Sequence, residues 1–393
     1  MTSLLVEKLN EEKQQVINWR RYLHQHPELS FQETKTSSYI AETLKGFGLE
    51  VKTNVGGHGM LAYIRGAEEG PTIALRADFD ALPIHELNEV TYRSTVDGVM
   101  HACGHDGHTA ALLGVAKVLS EEKDRLKGTV VLIFQHAEEL LPGGAKSMIE
   151  AGALEGVDKV FGAHVSSDIP LGKVAIREGA VMAAADSFSI NIQGKGGHGG
   201  KPHTTIDSIS VGSQLVTYLQ QIVSRRVNPI DPAVVTVGVF QAGTAFNVIA
   251  DTAKIEGTVR TYNPDVRALI EQEINDIVSG VCQASHADFT IDYTKGYPAV
   301  VNHAEETAMV RSIASTHLGA EVPIVVAPSL GGEDFAYYLE QKPGVFFHVG
   351  GRTEDENTQF PHHHPRFDFD EQALHNIGKM FLAIVTEYVG FND

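Results

Sequence analysis

Hydrophobic and polar positions change their period several times along this chain. Leu4, Leu5, Leu9, Val16 and Ile17 recur at helical spacing and a second apolar series runs Tyr39, Ile40 and Leu44, so the first 40 or so residues read as helices. Pro27, within LHQHPELS (Leu23–Ser30), drives His26 out of helical geometry and marks a boundary between them. Met60–Ile64 and Pro71–Leu75 are short apolar runs separated by GAEEG, a hairpin pattern. Strand and helix then alternate: a strand Thr72–Asp78, a helix Gly107–Ser120, a buried strand Thr129–Gln135, a helix Ala145–Ala151 and a strand Lys159–Val165. Such alternation predicts an α/β layer built on a largely parallel sheet.

The pattern changes near residue 180. SFSINIQ (Ser187–Gln193) alternates apolar and polar positions as a half-exposed strand does, and Ile206–Val223 is an amphipathic helix. Val234–Phe240 and Ala253–Arg260 alternate again, Val266–Val281 is a second helix, and Phe289–Tyr293 closes the set. The order strand, helix, strand, strand, helix, strand is the split-βαβ pattern of a small α+β ferredoxin-like domain. The expected organisation is a discontinuous α/β domain over 1–181 and 297–393, interrupted by an inserted domain over 182–296.

Composition narrows the function. A chain of 393 residues exceeds the size at which one core usually stops growing, in line with two domains. Fifty acids against 31 bases give a net charge of -19, which argues against nucleic acid or an anionic membrane surface as the partner. Two cysteines cannot form a disulfide framework. The longest apolar runs, such as Val130–Phe134, fall far short of a membrane span, and MTSLLVEKLNEEKQQ lacks a signal-peptide core, so a cytoplasmic enzyme with reduced thiols is expected. The 19 histidines matter because imidazole is the commonest protein metal ligand.

In HACGHDGH (His101–His108), Cys103 and His105 flank a glycine at which a turn can aim both side chains at one point, just before an apolar helix. Thiolate and imidazole suit a borderline-soft divalent ion; a buried free cysteine with capping histidines is the alternative. Glu138 and Glu139 follow the most apolar strand, at the carboxyl end where open parallel sheets place ligand sites. Adjacent carboxylates there diverge, so one can hold a metal while the other takes a proton; a solvated loop is the alternative. Asp78 and His164 end two further expected strands. Together these put a thiol, imidazoles and carboxylates at one sheet edge, and metal becomes the economical explanation.

RADFDALPI (Arg76–Ile84), HACGHDGHTAALLG (His101–Gly114), HAEE (His136–Glu139), GKGGHGGKPH (Gly194–His203), EGTVRT (Glu256–Thr261), GGEDFAYY (Gly331–Tyr338) and HHHPRFDFDE (His362–Glu371) resemble the M20 metallopeptidase superfamily. Within it they look like the amidohydrolase branch of hippurate hydrolases, indole-acetyl-amino-acid hydrolases and N-acyl-amino-acid deacetylases. The resemblance implies a zinc-peptidase-like catalytic domain with a ferredoxin-like lid and dimerisation insert. It implies two divalent ions (Mn, Zn, Ni or Co) on Cys103, His105, Glu139, His164 and a C-terminal histidine. Register with Pro365 selects His363, while His362 stands where the branch usually has Leu and His364 completes the run. If Cys103 bridges, five protein ligands and a hydroxide fill two tetrahedral shells.

The resemblance further makes Glu138 the general base and acid, His198 an oxyanion donor reaching the other subunit of a homodimer, Asn247 and Arg260 substrate contacts, and Asp78 the orienter of a ligating imidazole. His136 replaces a usual Pro, Ala250 follows Val-Ile where Pro is common, and Ser166–Ser167 follow His164 where bulkier residues are usual; these departures bear on the acyl pocket. The expected reaction is hydrolysis of an N-acyl-amino acid, a small-molecule substrate. A di- or tripeptidase on the same scaffold and a non-catalytic metal-binding protein are the alternatives.

Overall fold

The computed structural model describes residues 2–392. The chain forms two compact units: one takes the chain through Val181, Val301–Ala327 and the segment from Asp334 on, and the other takes Met182–Val300 with Pro328–Glu333.

The first unit is built on an eight-stranded mixed sheet in the order Glu50–Val55, Gly59–Arg65, Lys127–Gln135, Glu68–Asp78, Lys159–Pro170, Gly344–Arg352, Val174–Ala175, Pro323–Ile324. Its centre is parallel: Lys127–Gln135, Glu68–Asp78, Lys159–Pro170 and Gly344–Arg352 all run the same way. These strands read as near-continuous apolar runs because both faces are covered. The helix His105–Glu122 is buried over nearly all its length, packed with Lys13–Gln25 and Gln372–Tyr388 around a core that includes Leu112, Phe161, Phe347, Phe381 and Ile384. Among the described residues, no helix is long and apolar enough to cross a membrane.

One expectation fails. The runs at Met60–Ile64 and Pro71–Leu75 do not pair as a hairpin; Lys127–Gln135 lies between them, antiparallel to the first and parallel to the second. Instead of closing a tight turn, the linking backbone donates from Gly66 to Gly128 and from Ala67 to Leu126. Two strands buried on both faces carry no alternation that could choose a partner, so a later strand slots in. The true hairpin joins Gly59–Arg65 to Glu50–Val55, a polar edge strand that apolar patterning overlooks. The strand bearing His164 also runs beyond Val165, to Pro170.

The second unit holds a four-stranded antiparallel sheet in the order Ala233–Ala242, Thr252–Thr261, Ala184–Gln193, Asp288–Thr294. The helix Ser208–Gln221 connects Ala184–Gln193 to Ala233–Ala242, and Pro264–Ser285 connects Thr252–Thr261 to Asp288–Thr294. Asp207 caps the first helix by accepting from the Ile209 and Ser210 N–H groups, and Asn263 caps the second ahead of Pro264 at its first position. Alternate residues of Ala184–Gln193 are buried, and Ile190, Ile192, Leu215, Ile255, Ile270 and Ile274 share the core.

Candidate metal centre and active site

The Cys103–Gly104–His105 turn is enforced by Gly104. Its φ of 98° lies in the left-handed region, and a Cβ there would stand 2.4 Å from Val165 Cγ1. The turn opens the helix at His105 and brings Cys103, His105 and Glu139 ligand atoms within 4.8 Å of one another. Cys103 Sγ also lies 3.4 Å from His164 Nε2. Sheet register sets His164 level with Asp78: each comes two residues beyond the Arg76–Gly162 pair, one on each strand. The His164 Nδ1–H donates to the Val165 carbonyl at 2.6 Å, which leaves Nε2 for the thiol side.

Glu138 and Glu139 leave the Lys127–Gln135 strand through Ala137, whose φ of 52° is strained for a residue with a Cβ. The bend is tied down by the Ala137 N–H donating to Glu33 Oε1 at 2.8 Å. Burial pushes Glu33 up to about 7, against the lowering effect of the backbone donors it accepts from. Glu138 is buried. The His136 ring packs edge-on against Phe31 and His58, and a Cβ on Gly57 would come 2.6 Å from its Nε2.

Asp80 joins the two halves of the site, a role sequence reasoning missed. Its Oδ1 and main-chain oxygen sit 3.1 and 3.0 Å from His105 Nδ1, and its Oδ2 accepts from the Glu139 N–H at 2.9 Å and from Ser30 Oγ at 2.7 Å. His105 Nε2 is then aimed at Glu139 Oε1, 3.8 Å away, buried and without a hydrogen-bond partner. Asp78, expected to orient a ligating imidazole, holds His108, with Oδ1 2.7 Å from its Nδ1, and takes Arg76 Nη1 at 2.6 Å on Oδ2. It stands 3.6 Å from His105 Nε2. His108 Nε2 in turn accepts from the Val165 N–H beside His164 at 2.9 Å. The available signal for Asp80 was its spacing two residues after Asp78 in RADFDA.

The three consecutive histidines diverge. The His363 N–H donates to the Ala102 carbonyl at 2.8 Å, and its φ of 65° turns the side chain to place Nε2 3.2 Å from Glu139 Oε1. His362 points to the thiol, with Nδ1 3.7 Å from Cys103 Sγ. His364 stacks on Phe360, centroids 4.7 Å apart.

The remaining expected residues belong to the second unit. His198 is exposed, pairs with Val248 in a two-stranded ribbon, and accepts from the Gly200 N–H on Nδ1 at 2.9 Å. Asn247 is exposed and its carbonyl accepts from Gly199 N–H at 2.8 Å, which ties it to the His198 loop. Arg260 donates from Nε to the Leu330 carbonyl at 3.1 Å.

The donor set fits a divalent cation. Burial, reinforced by Glu139, Glu138 and Asp78, pushes the Cys103 thiol well above its usual range. Burial and the neighbouring His108, His362 and His348 hold His164 well below the usual imidazole range. Burial opposes charge on His105, but Asp78, Asp80 and Glu139 outweigh it and raise its pKa to about 10. Sulfur, nitrogen and carboxylate oxygen converge there around the unpartnered His105 Nε2, an arrangement a cation completes by favouring thiolate and neutral imidazole.

Residues 74–387 match the profile of peptidase family M20/M25/M40. The chain is 49% identical over 311 residues to N-acyl-L-amino acid amidohydrolase of Geobacillus stearothermophilus, covering 78% of this chain and 83% of that one. It is 42% identical over 377 residues to thermostable carboxypeptidase 2 of Saccharolobus solfataricus, covering 94% and 95%. The crystal structure of the Bacillus subtilis YXEP protein, described as a dinuclear metal-binding peptidase of family M20, superposes with a TM-score of 0.84 at 37% identity, covering 97% of this chain and 99% of that one. With the profile spanning most of the chain and these relatives covering 78–97% of it, the protein belongs to peptidase family M20 and is an enzyme of its amidohydrolase branch.

Proposed function

We propose that this enzyme hydrolyses the amide of N-acyl-amino acids, acetyl or benzoyl among them, to a carboxylic acid and a free amino acid, using a pair of divalent ions. The observation that carries the reading is the division between two adjacent carboxylates: Glu139 faces His105 and His363, while its neighbour Glu138 is buried and near enough to Cys103 to help push the thiol's pKa up. Cys103, His105, Glu139, His164 and His363 would hold the ions. The ions, when bound, supply Lewis acidity and make water a nucleophile near neutral pH.

Glu138 takes the proton that the attacking water must lose and delivers it to the leaving nitrogen, the usual path of a positioned carboxylate in amide hydrolysis. His198, from the second subunit of a homodimer, donates to the developing oxyanion. The forked guanidinium of Arg260 suits a substrate carboxylate, with Asn247 a further polar contact. Glu138→Gln is expected to keep its metal content by elemental analysis and to lose at least ~100-fold in turnover of N-acetyl- and N-benzoyl-amino acids; normal turnover would refute the role. Cys103→Ala is expected to lower metal content.

Peptide hydrolysis on the same residues is a second reading, favoured by the resemblance to a carboxypeptidase. Amine release from matched acyl-amino acids and dipeptides separates the two.

A further inference from the structure

The run His362–His364 contributes more to the centre than the single ligand assigned above. His362 is partly buried, its ring packed against Phe367 with centroids 4.6 Å apart and against His164 at 5.2 Å. That packing leaves Nδ1 directed at Cys103, and Cys103, His164 and His362 bring their donor atoms within 4.8 Å of one another. Geometry decides what this cluster can hold. Metal–sulfur and metal–nitrogen bonds of about 2.3 and 2.05 Å at a tetrahedral angle put the two donors about 3.5 Å apart. The observed Cys103 Sγ separations, 3.4 Å to His164 Nε2 and 3.7 Å to His362 Nδ1, bracket that value. His363 is engaged elsewhere, 3.2 Å from Glu139 Oε1, so the two neighbours serve different sides of the shared thiol.

We propose that His362 is a sixth protein ligand, adding Nδ1 to the ion held by Cys103 and His164, while His363 serves the ion held by Cys103 and Glu139. The inference rests on the paired-ion reading above. It gives the Cys103–His164 position three protein donors, Cys103, His164 and His362, against Cys103, His105, Glu139 and His363 at the other, and so leaves a tetrahedral position open for water on the Cys103–His164 side.

The test is cobalt titration of apo-protein, wild type against His362→Leu and His362→Gln, read by elemental analysis after dialysis, by the thiolate-to-cobalt near-ultraviolet band and by the visible d–d envelope. Apo melting temperatures check the fold of each variant. Wild type is expected to bind two cobalt ions per chain with the thiolate band present. Removing an outer-sphere partner of a metal ligand commonly costs 10–100-fold in affinity, so loss of a direct ligand is expected to cost both variants more than roughly 100-fold for one ion only, with an altered d–d envelope and a retained thiolate band. Isotherms and spectra of both variants that match wild type would overturn the proposal while leaving the paired-ion reading intact. Wild type without thiolate-bound cobalt would overturn that reading, and the proposal with it.

Discussion

Asp80 shows how much one carboxylate can organise. By accepting from the Glu139 N–H and holding His105 Nδ1, it sets the aim of two candidate ligands that lie far apart in sequence. Asp80→Asn is therefore expected to weaken metal binding by roughly 10–100-fold without emptying the core, measured by competition with a chelator. Cys103 and the Glu138–Glu139 pair were legible in the sequence because neighbours along the chain announce them. Asp80 was not, since its partners come from a distant loop and helix. A second residue-scale prediction concerns His24, buried between Asp106 Oδ2 at 2.8 Å and Glu86 Oε1 at 3.1 Å. Burial opposes its charge, but Asp106 and Glu86 prevail and raise its pKa to about 9. A raised folded-state pKa stabilises below the unfolded value, near 6.5, and that contribution is lost as pH climbs through about 9. Its size is up to roughly 3 kcal/mol. The melting temperature of metal-replete wild type should fall between pH 7 and 10 more steeply than that of His24→Gln; parallel curves would refute the assignment.

At the scale of elements, the site depends on how strands and helices begin and end. The turn at Gly104 converts the end of an irregular segment into a helix whose first residue is a candidate ligand. Gly104→Ala combines a left-handed φ with a 2.4 Å approach to Val165, and is expected to cost about 2–4 kcal/mol and to lower metal content. Urea denaturation alongside elemental analysis reads both. The glycine was legible as a turn between Cys103 and His105. The neighbours of the strands were not: Lys127–Gln135 inserts between two runs that look like a hairpin, and only the sheet shows it. The His362–His364 run is similarly ambiguous as a string, because the φ of 65° at His363, rather than residue type, sends its members three ways.

At the scale of the whole molecule, the proposed action of His198 in trans makes a quantitative prediction. Mixing Glu138→Gln with His198→Ala subunits by unfolding and refolding should restore about a quarter of wild-type activity, since half of randomly formed dimers are hybrids and one of the two sites in each is intact. No recovery would place both residues on one subunit or remove His198 from catalysis. The inserted unit could be traced from hydrophobic period alone, because a half-covered antiparallel sheet writes its alternation into each strand, as in Ala184–Gln193. The short Pro328–Glu333 segment that joins it carries no such period, and only its contacts reveal where it belongs. The sequence by itself determined the chemistry: a thiol and imidazole across a glycine, paired acids at a strand end, and elements whose period fixes their type. Tertiary structure alone decided the order of the buried strands, the direction of each histidine in the run, and the choice of Asp80 to orient His105. Those outcomes depend on contacts between residues tens to hundreds of positions apart, which no local pattern along the chain encodes.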